Sequence, residues 1–178
     1  MDAAAQLELL TMHSDRIAIE ECIYRNALGT DLVDIDLWKS TYWPDATENH
    51  IWYDGNAHAF VDSAAQQVSN EMDTTSHHMS NVMIKLAGNI ATVVSYMFAY
   101  CRMIEPDGTR TDLQTGSRTI DTMEKRDGEW RIMHRHVKPD WALTAPSSYD
   151  WNTVVRDNIV AKWGSHAADD PARGIFTA

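Results

Sequence analysis

The stretch from Asn81 to Trp141 constrains the fold most. NVMIKLAGNIATVVSYMFAYCRMI is dense in β-branched and aromatic residues and is interrupted once, near Gly88-Asn89, which predicts two strands joined by a tight turn. TGSRTIDTMEKRDGEWRIMHRHVKPDW predicts a second hairpin, with Asp127-Gly128 as its turn. Upstream the period changes. From about residue 5 to 29, Ile19, Ile23 and Ala27 recur at a spacing of four, with Ala18 and Cys22 widening the stripe. This predicts a helix that Ser14 or an earlier residue caps and Gly29 stops. DIDLWKSTYW predicts a short helix from Asp34 ended by Pro44, ENHIWYDG a strand entering a turn, and NAHAFVDSAAQQVSNEM a helix through Phe60, Ala64 or Ala65, and Val68. Helices followed by an antiparallel meander make an α+β chain, its helices packed on one face of a curved sheet. A last helix is expected from Trp151 to Trp163, with GSHAADDPARGIFTA wrapping the surface or a neighbouring subunit.

A chain of 178 residues fits one domain with room for a pocket, its core over about 15–145 and a C-terminal helix and tail over 146–178. Fifteen basic residues against 26 acids give a net charge of −11, which excludes a polyanionic partner such as nucleic acid. No run approaches the roughly 20 apolar residues of a membrane span. MDAAAQLELL carries an acid where a signal peptide would be basic, so a cytoplasmic protein away from the membrane is expected. Cys22 and Cys101 lack metal or redox spacing and lie in apolar segments, as buried free thiols do. Seven tryptophans suit a packed core, subunit contacts in a homodimer or homotrimer, and an aromatic-lined pocket.

Few residues carry chemistry. Asp31 lies just past an apolar helix, seven residues after Tyr24 and so on the same face, where a carboxylate needs a partner. In TTSHHMSN the adjacent histidines must point to opposite faces: His77 shares parity with Met79, Asn81 and Met83, and His78 with Ser80 and Val82. Parity does not say which set faces inward. In RIMHRHV, alternation groups Arg131, Met133, Arg135 and Val137 against Ile132, His134 and His136. His134 and His136 could share a metal, but no third ligand accompanies them.

AIEECIYRNALGTDLVDIDLWKSTYWPDATEN, TSHHMSNVMIKLAGNIATVVSYM, TIDTMEKRDGEWRIMHRHVKPDW and the late DDP, in this order and spacing, resemble the SnoaL-like branch of the NTF2-like superfamily. The resemblance covers about residues 15 to 145 and implies a cone-shaped, curved antiparallel sheet packed with N-terminal helices. Within that branch the chain looks most like the hexachlorocyclohexane dehydrochlorinases and, more distantly, the scytalone dehydratases. The likeness implies Asp31, His77 and Arg135 as catalytic residues, with Asn81 beside them. The lysine that the dehydrochlorinases carry five residues before the aspartate is Asn26 here, so the cation that helps chloride leave is missing.

The resemblance further implies acid–base catalysis without metal or organic cofactor. Asp31 would fix the tautomer of His77, which removes a proton, while Arg135 and Asn81 would steady the charge that develops. The expected reaction is a lyase step on a small hydroxylated aromatic compound. It would lose water, or lose formaldehyde in a retro-aldol-type cleavage, as similar enzymes of lignin-fragment degradation do. Tyr24, Asn26, Asn81, Tyr53, Tyr96, Phe98 and Trp141 are the expected substrate contacts, and Tyr100 and Trp52 add ring surface. The same fold also serves as a ketosteroid-isomerase-like proton shuttle, as a non-catalytic small subunit of ring-hydroxylating dioxygenases and as a ligand-binding module.

Overall fold

A computed structural model of the chain describes residues 2–147, 166 and 170–176. The helix expected from Trp151 to Trp163 lies outside the described residues. Helix α1 (Ala3–Leu32) starts at Asp2, whose Oδ1 accepts from the Ala5 amide at 2.8 Å. Its buried stripe, Ile19, Cys22, Ile23, Asn26 and Gly29, follows the three- and four-residue spacing of one helix face. Gly29 is therefore not the stop. A Cβ there would meet the Trp38 backbone at 2.8 Å, so glycine is what lets α2 (Ile35–Ser40) cross so closely. The helix ends at Val33, in the left-handed region at φ 49°, with the Val33 amide donating to Thr30 O and that of Asp34 to Gly29 O. Asp34 Oδ1 then caps α2 through the Leu37 amide at 3.1 Å.

The strands are β1 (Tyr42–His50), β2 (Tyr53–Asn56), β3 (Met72–Ala87), β4 (Ile90–Ile104), β5 (Arg110–Arg126) and β6 (Glu129–Pro146), with α3 (Ala57–Glu71) between β2 and β3. Among the described residues they form one curved, unclosed sheet in the order β2-β1-β6-β5-β4-β3. Its neighbours run antiparallel except β1 and β6, which pair parallel, so the sheet is mixed and not the purely antiparallel meander expected. The chain crosses from β1 to β6 only after building every other strand, and such a long-range pairing leaves no local signal. Pro44 does not end a helix; α2 has already stopped, and the proline sits in β1 where the register with β6 slips between Tyr42 and Thr47. Gly88 at φ 65° turns β3 into β4, and Asp127-Gly128, both at positive φ, turn β5 into β6.

Helices and sheet enclose a core of Ile19, Ile23, Trp38, Phe60, Val61, Met123, Trp130 and Ile132. Helix α1 is pinned to the β5–β6 hairpin by Asp15, which accepts from Lys125 Nζ at 2.6 Å and from Trp130 Nε1 at 2.9 Å. At its other end the tail returns. His166 Nδ1 donates to Asp31 O at 2.7 Å, and Arg173 donates to Leu32 O, satisfying carbonyls that a helix terminus leaves open. Cys22 and Cys101 are buried and unpaired, as free thiols. No helix among the described residues is long and apolar enough to cross a membrane.

Candidate active site

Between the inner face of the sheet and the helices lies a cavity of about 550 Å³, a size that accommodates a small organic molecule. On one wall, the last turn of α1 brings Asp31 against edge strand β3. Asp31 Oδ1 lies 2.6 Å from His77 Nδ1, Asp31 Oδ2 accepts from the His77 amide at 2.8 Å, and Thr75 Oγ1 donates to Oδ1 at 3.1 Å. A carboxylate at a helix C-terminus faces the negative end of the helix dipole, and these three donors offset that. With Nδ1 held by Asp31, Nε2 is the nitrogen left to take a proton, and His77 lines the cavity. His78 points the other way, exposed, with Nε2 3.0 Å from Ser76 Oγ. Cys101 also lines this wall, where burial, aided by the charge of Asp31, pushes its thiol up to about 11 and keeps it protonated.

Arg135 lies on the cavity floor in a different setting. It is buried and stands opposite Asp121 on β5 and Glu48 on β1. Arg135 Nε and Nη2 each donate to Asp121 at 2.8 Å, and Nη1 reaches Asn26 Oδ1 at 2.5 Å and Tyr42 OH at 3.5 Å. Burial opposes its charge, yet Asp121, with Tyr42 and Glu48, holds the guanidinium well above its usual range. Burial likewise pushes the Tyr42 hydroxyl well up against the pull of Arg135, so it stays a donor to Glu48 Oε2, 2.9 Å away. Asn26 completes the network, its amide donating to Thr41 Oγ1 at 2.8 Å.

The other expected contacts divide. Asn26 and Trp141 line the cavity, the Trp141 indole resting where a side chain on Gly116 would otherwise stand. Asn81 does not. It sits in the left-handed region at φ 48° inside a β-bulge between Ser80 and Met83, so the inward set passes from Thr75, His77 and Met79 to Val82, Ile84 and Leu86. A bulge inserts one residue and reverses every later parity, which strict alternation misses. The same occurs at Met133, where Ile132 and then Arg135 both turn inward. Tyr24 is exposed, one position off the buried stripe of α1. Tyr96 and Phe98 are exposed and do not line the cavity, Phe98 packing against His78 and Trp141. Tyr53 stays outside the lining, its hydroxyl donating to Asn56 O at 2.8 Å and its ring against Phe60. Tyr100 OH is tied to Asp112 at 2.9 Å. Trp52 does line the cavity. His134 Nδ1 is 2.7 Å from Thr47 Oγ1, and no cluster of three His, Cys, Asp or Glu suited to a metal occurs among the described residues.

Among the lining residues not expected as contacts are four with polar atoms, Glu48, His50, Trp38 and Ser117. Glu48 and His50 share parity in a segment read as a strand, which placed them on one face. Trp38 Nε1 and Ser117 Oγ are buried without a protein partner, and nothing local in the sequence marks them.

Residues 11–136 match the SnoaL-like domain family. No curated protein matches the sequence. Among solved structures the chain is similar to a provisionally assigned scytalone dehydratase from Novosphingobium aromaticivorans, at 19% identity over 82% of this chain and 99% of that one, with a TM-score of 0.66. It is also similar to a hexachlorocyclohexane dehydrochlorinase from Novosphingobium barchaimii, at 13% identity, 79% and 97% coverage and a TM-score of 0.71. A protein of unknown function from Mycobacterium tuberculosis matches at 17% identity, 74% and 75% coverage and a TM-score of 0.61. At these identities the likeness is one of fold.

Proposed function

The chain belongs to the SnoaL-like family, and from that premise we propose that it is a cofactor-independent lyase acting on a small hydroxylated aromatic compound. The observation that carries this reading is the 2.6 Å contact of His77 Nδ1 with Asp31 at the wall of a cavity furnished with Trp38, Trp52, Phe60 and Trp141. In the proposed step, His77 Nε2 takes a proton from the substrate and Asp31 holds the ring in the tautomer that leaves Nε2 free. Asp31 also stabilises the imidazolium once it forms. The rings of the cavity bind the aryl group. Arg135 already spends Nε, Nη1 and Nη2 on Asp121, Asn26 and Tyr42. Arg135 thereby acts as a positioning residue, fixing Asn26 and Tyr42 at the floor.

The test is a panel of β-hydroxy aryl ketones and hydroxymethyl-bearing aryl diols, incubated with the chain and read by mass spectrometry. The expected products have lost water or formaldehyde, and His77→Ala abolishes them. Recovery of bound aromatics unchanged would instead identify a ligand-binding module, and a product of equal mass a proton shuttle.

A further inference from the structure

The cavity holds a second histidine–carboxylate pair. Glu48, on β1, is 1% exposed; its Oε1 lies 3.2 Å from His50 Nδ1, and its Oε2 accepts from Tyr42 OH at 2.9 Å. His50 is stacked on Phe60 with centroids 4.9 Å apart and an interplanar angle of 27°, and Trp52 flanks it at 6.4 Å. Its ring is thus oriented, Nδ1 is held by Glu48, and Nε2 is left. Both residues line the same cavity as His77. Yet β1 stands next to one end of the sheet order and β3 at the other, so the two imidazoles reach the cavity from opposite ends of the curved sheet.

A structural role alone does not explain this arrangement. A buried carboxylate costs several kcal/mol unless compensated, and an apolar side chain of similar size would fill the space at less cost. Across the floor, Glu48, Arg135 and Asp121 stand side by side on β1, β6 and β5, two carboxylates to one guanidinium. Arg135 is bonded to Asp121 through both Nε and Nη2, which leaves Glu48 with Tyr42 and His50. His50 is the group at Glu48 that can carry the balancing positive charge.

We propose that His50, oriented by Glu48, is the general acid that protonates the departing oxygen, so that the substrate is a β-hydroxy aryl compound that loses water. This rests on the lyase reading above. The carbon–hydrogen bond breaks with its proton passing to His77 Nε2, and the electron pair forms the carbon–carbon double bond. In the same step the carbon–oxygen bond breaks, its electron pair leaving with the oxygen as the hydroxyl takes a proton from the His50 imidazolium, and water leaves. His77 ends protonated and His50 neutral, and proton exchange with solvent resets both without oxidant or reductant. Hydroxide is a poor leaving group and needs that proton, whereas a halide or carboxylate does not. An acid at this position therefore selects dehydration, in a cavity where Asn26 offers no cation to a departing halide.

The experiment compares two leaving groups on one enzyme preparation, using β-hydroxypropiophenone and its ring-hydroxylated relatives, each beside its acetate ester. Acetate departs without protonation. In His50→Gln the ratio of hydroxy to ester turnover should fall by about 10²-fold relative to the unaltered chain, the usual contribution of a positioned acid. Because both rates come from the same folded sample, misfolding lowers them together and leaves the ratio alone. Glu48→Gln should lower the same ratio less, as a positioning residue acting through His50. A ratio unchanged in His50→Gln, while the unaltered chain still dehydrates the hydroxy ketones, overturns the acid assignment and leaves the lyase reading standing. Conversion of neither substrate by the unaltered chain overturns both.

Discussion

The Asp31–His77 and Asp121–Arg135 pairs each set one residue expected to do chemistry, His77 and Arg135, against the same cavity, and they differ in almost every physical respect. The first joins a helix end to an edge strand, stays partly exposed, and leaves one imidazole nitrogen uncommitted. The second joins facing residues of adjacent central strands, is buried, and has every guanidinium nitrogen engaged. A proton-transfer group needs an unspent valence facing the substrate. A buried ion pair needs the opposite, because any unspent valence there is an unpaired charge. Both look alike in a motif, and only their partners tell them apart.

The largest expected effect breaks the contrast on the catalytic side. His77→Ala should lower turnover by about 10²- to 10⁴-fold and shift the urea midpoint less than a change at Arg135, since Asp31 keeps the Thr75 hydroxyl and the backbone amide at position 77 as donors. Arg135→Met should do the reverse in kind. It strands Asp121, fully buried, and should cost about 3–5 kcal/mol in denaturant unfolding. Replacing Asp121 with Leu in the same chain should restore part of that loss, because removing both charges leaves neither unpaired. If Arg135→Met folds with native stability yet loses turnover, the floor pair is catalytic and the contrast collapses.

A smaller effect concerns Asp15, a third kind of pair that closes α1 onto the hairpin. Burial raises its pKa, but the bonds from Lys125 and Trp130 outweigh this and hold the carboxyl below its ordinary value. A depressed acid stabilises the fold above its unfolded pKa, and that stability is lost as pH falls through the folded value. Asp15→Asn should therefore remove about 1 kcal/mol near neutrality and flatten the loss of stability below about pH 4, read by thermal unfolding across pH. The smallest effect is His78→Ala, which should leave turnover within about twofold, since an exposed side chain bonded only to Ser76 touches no cavity atom.

How much of this was legible follows from the range of each signal. Helix α3, the Gly88-Asn89 and Asp127-Gly128 turns and the start of α2 at Asp34 are local events written in neighbouring residues, and they read true. The parallel pairing of β1 with β6 spans about half of the chain, so no window of sequence carries it. Bulges at Asn81 and Met133 each shift the parity of a strand by one, which is why Asn81 was expected beside His77 and why Ile132 was grouped against Arg135 although both are buried. Asp31 beside His77 came from a family resemblance, and the hydrogen bond between them is a contact that periodicity alone left open. Glu48 and His50 were within reach of the same alternation rule, but no motif drew attention to them.

The central claim is that Asp31 and His77 act as one unit, and a double-mutant cycle on turnover of the panel's best substrate tests it most directly. Asp31→Asn should cost nearly as much as His77→Ala, because an amide cannot stabilise the imidazolium and favours the wrong tautomer. The double variant should then lose far less than the product of the two single losses, since the second change removes nothing that still works. Losses that multiply, or an Asp31→Asn chain that keeps its activity, would show the two residues working independently and contradict the dyad.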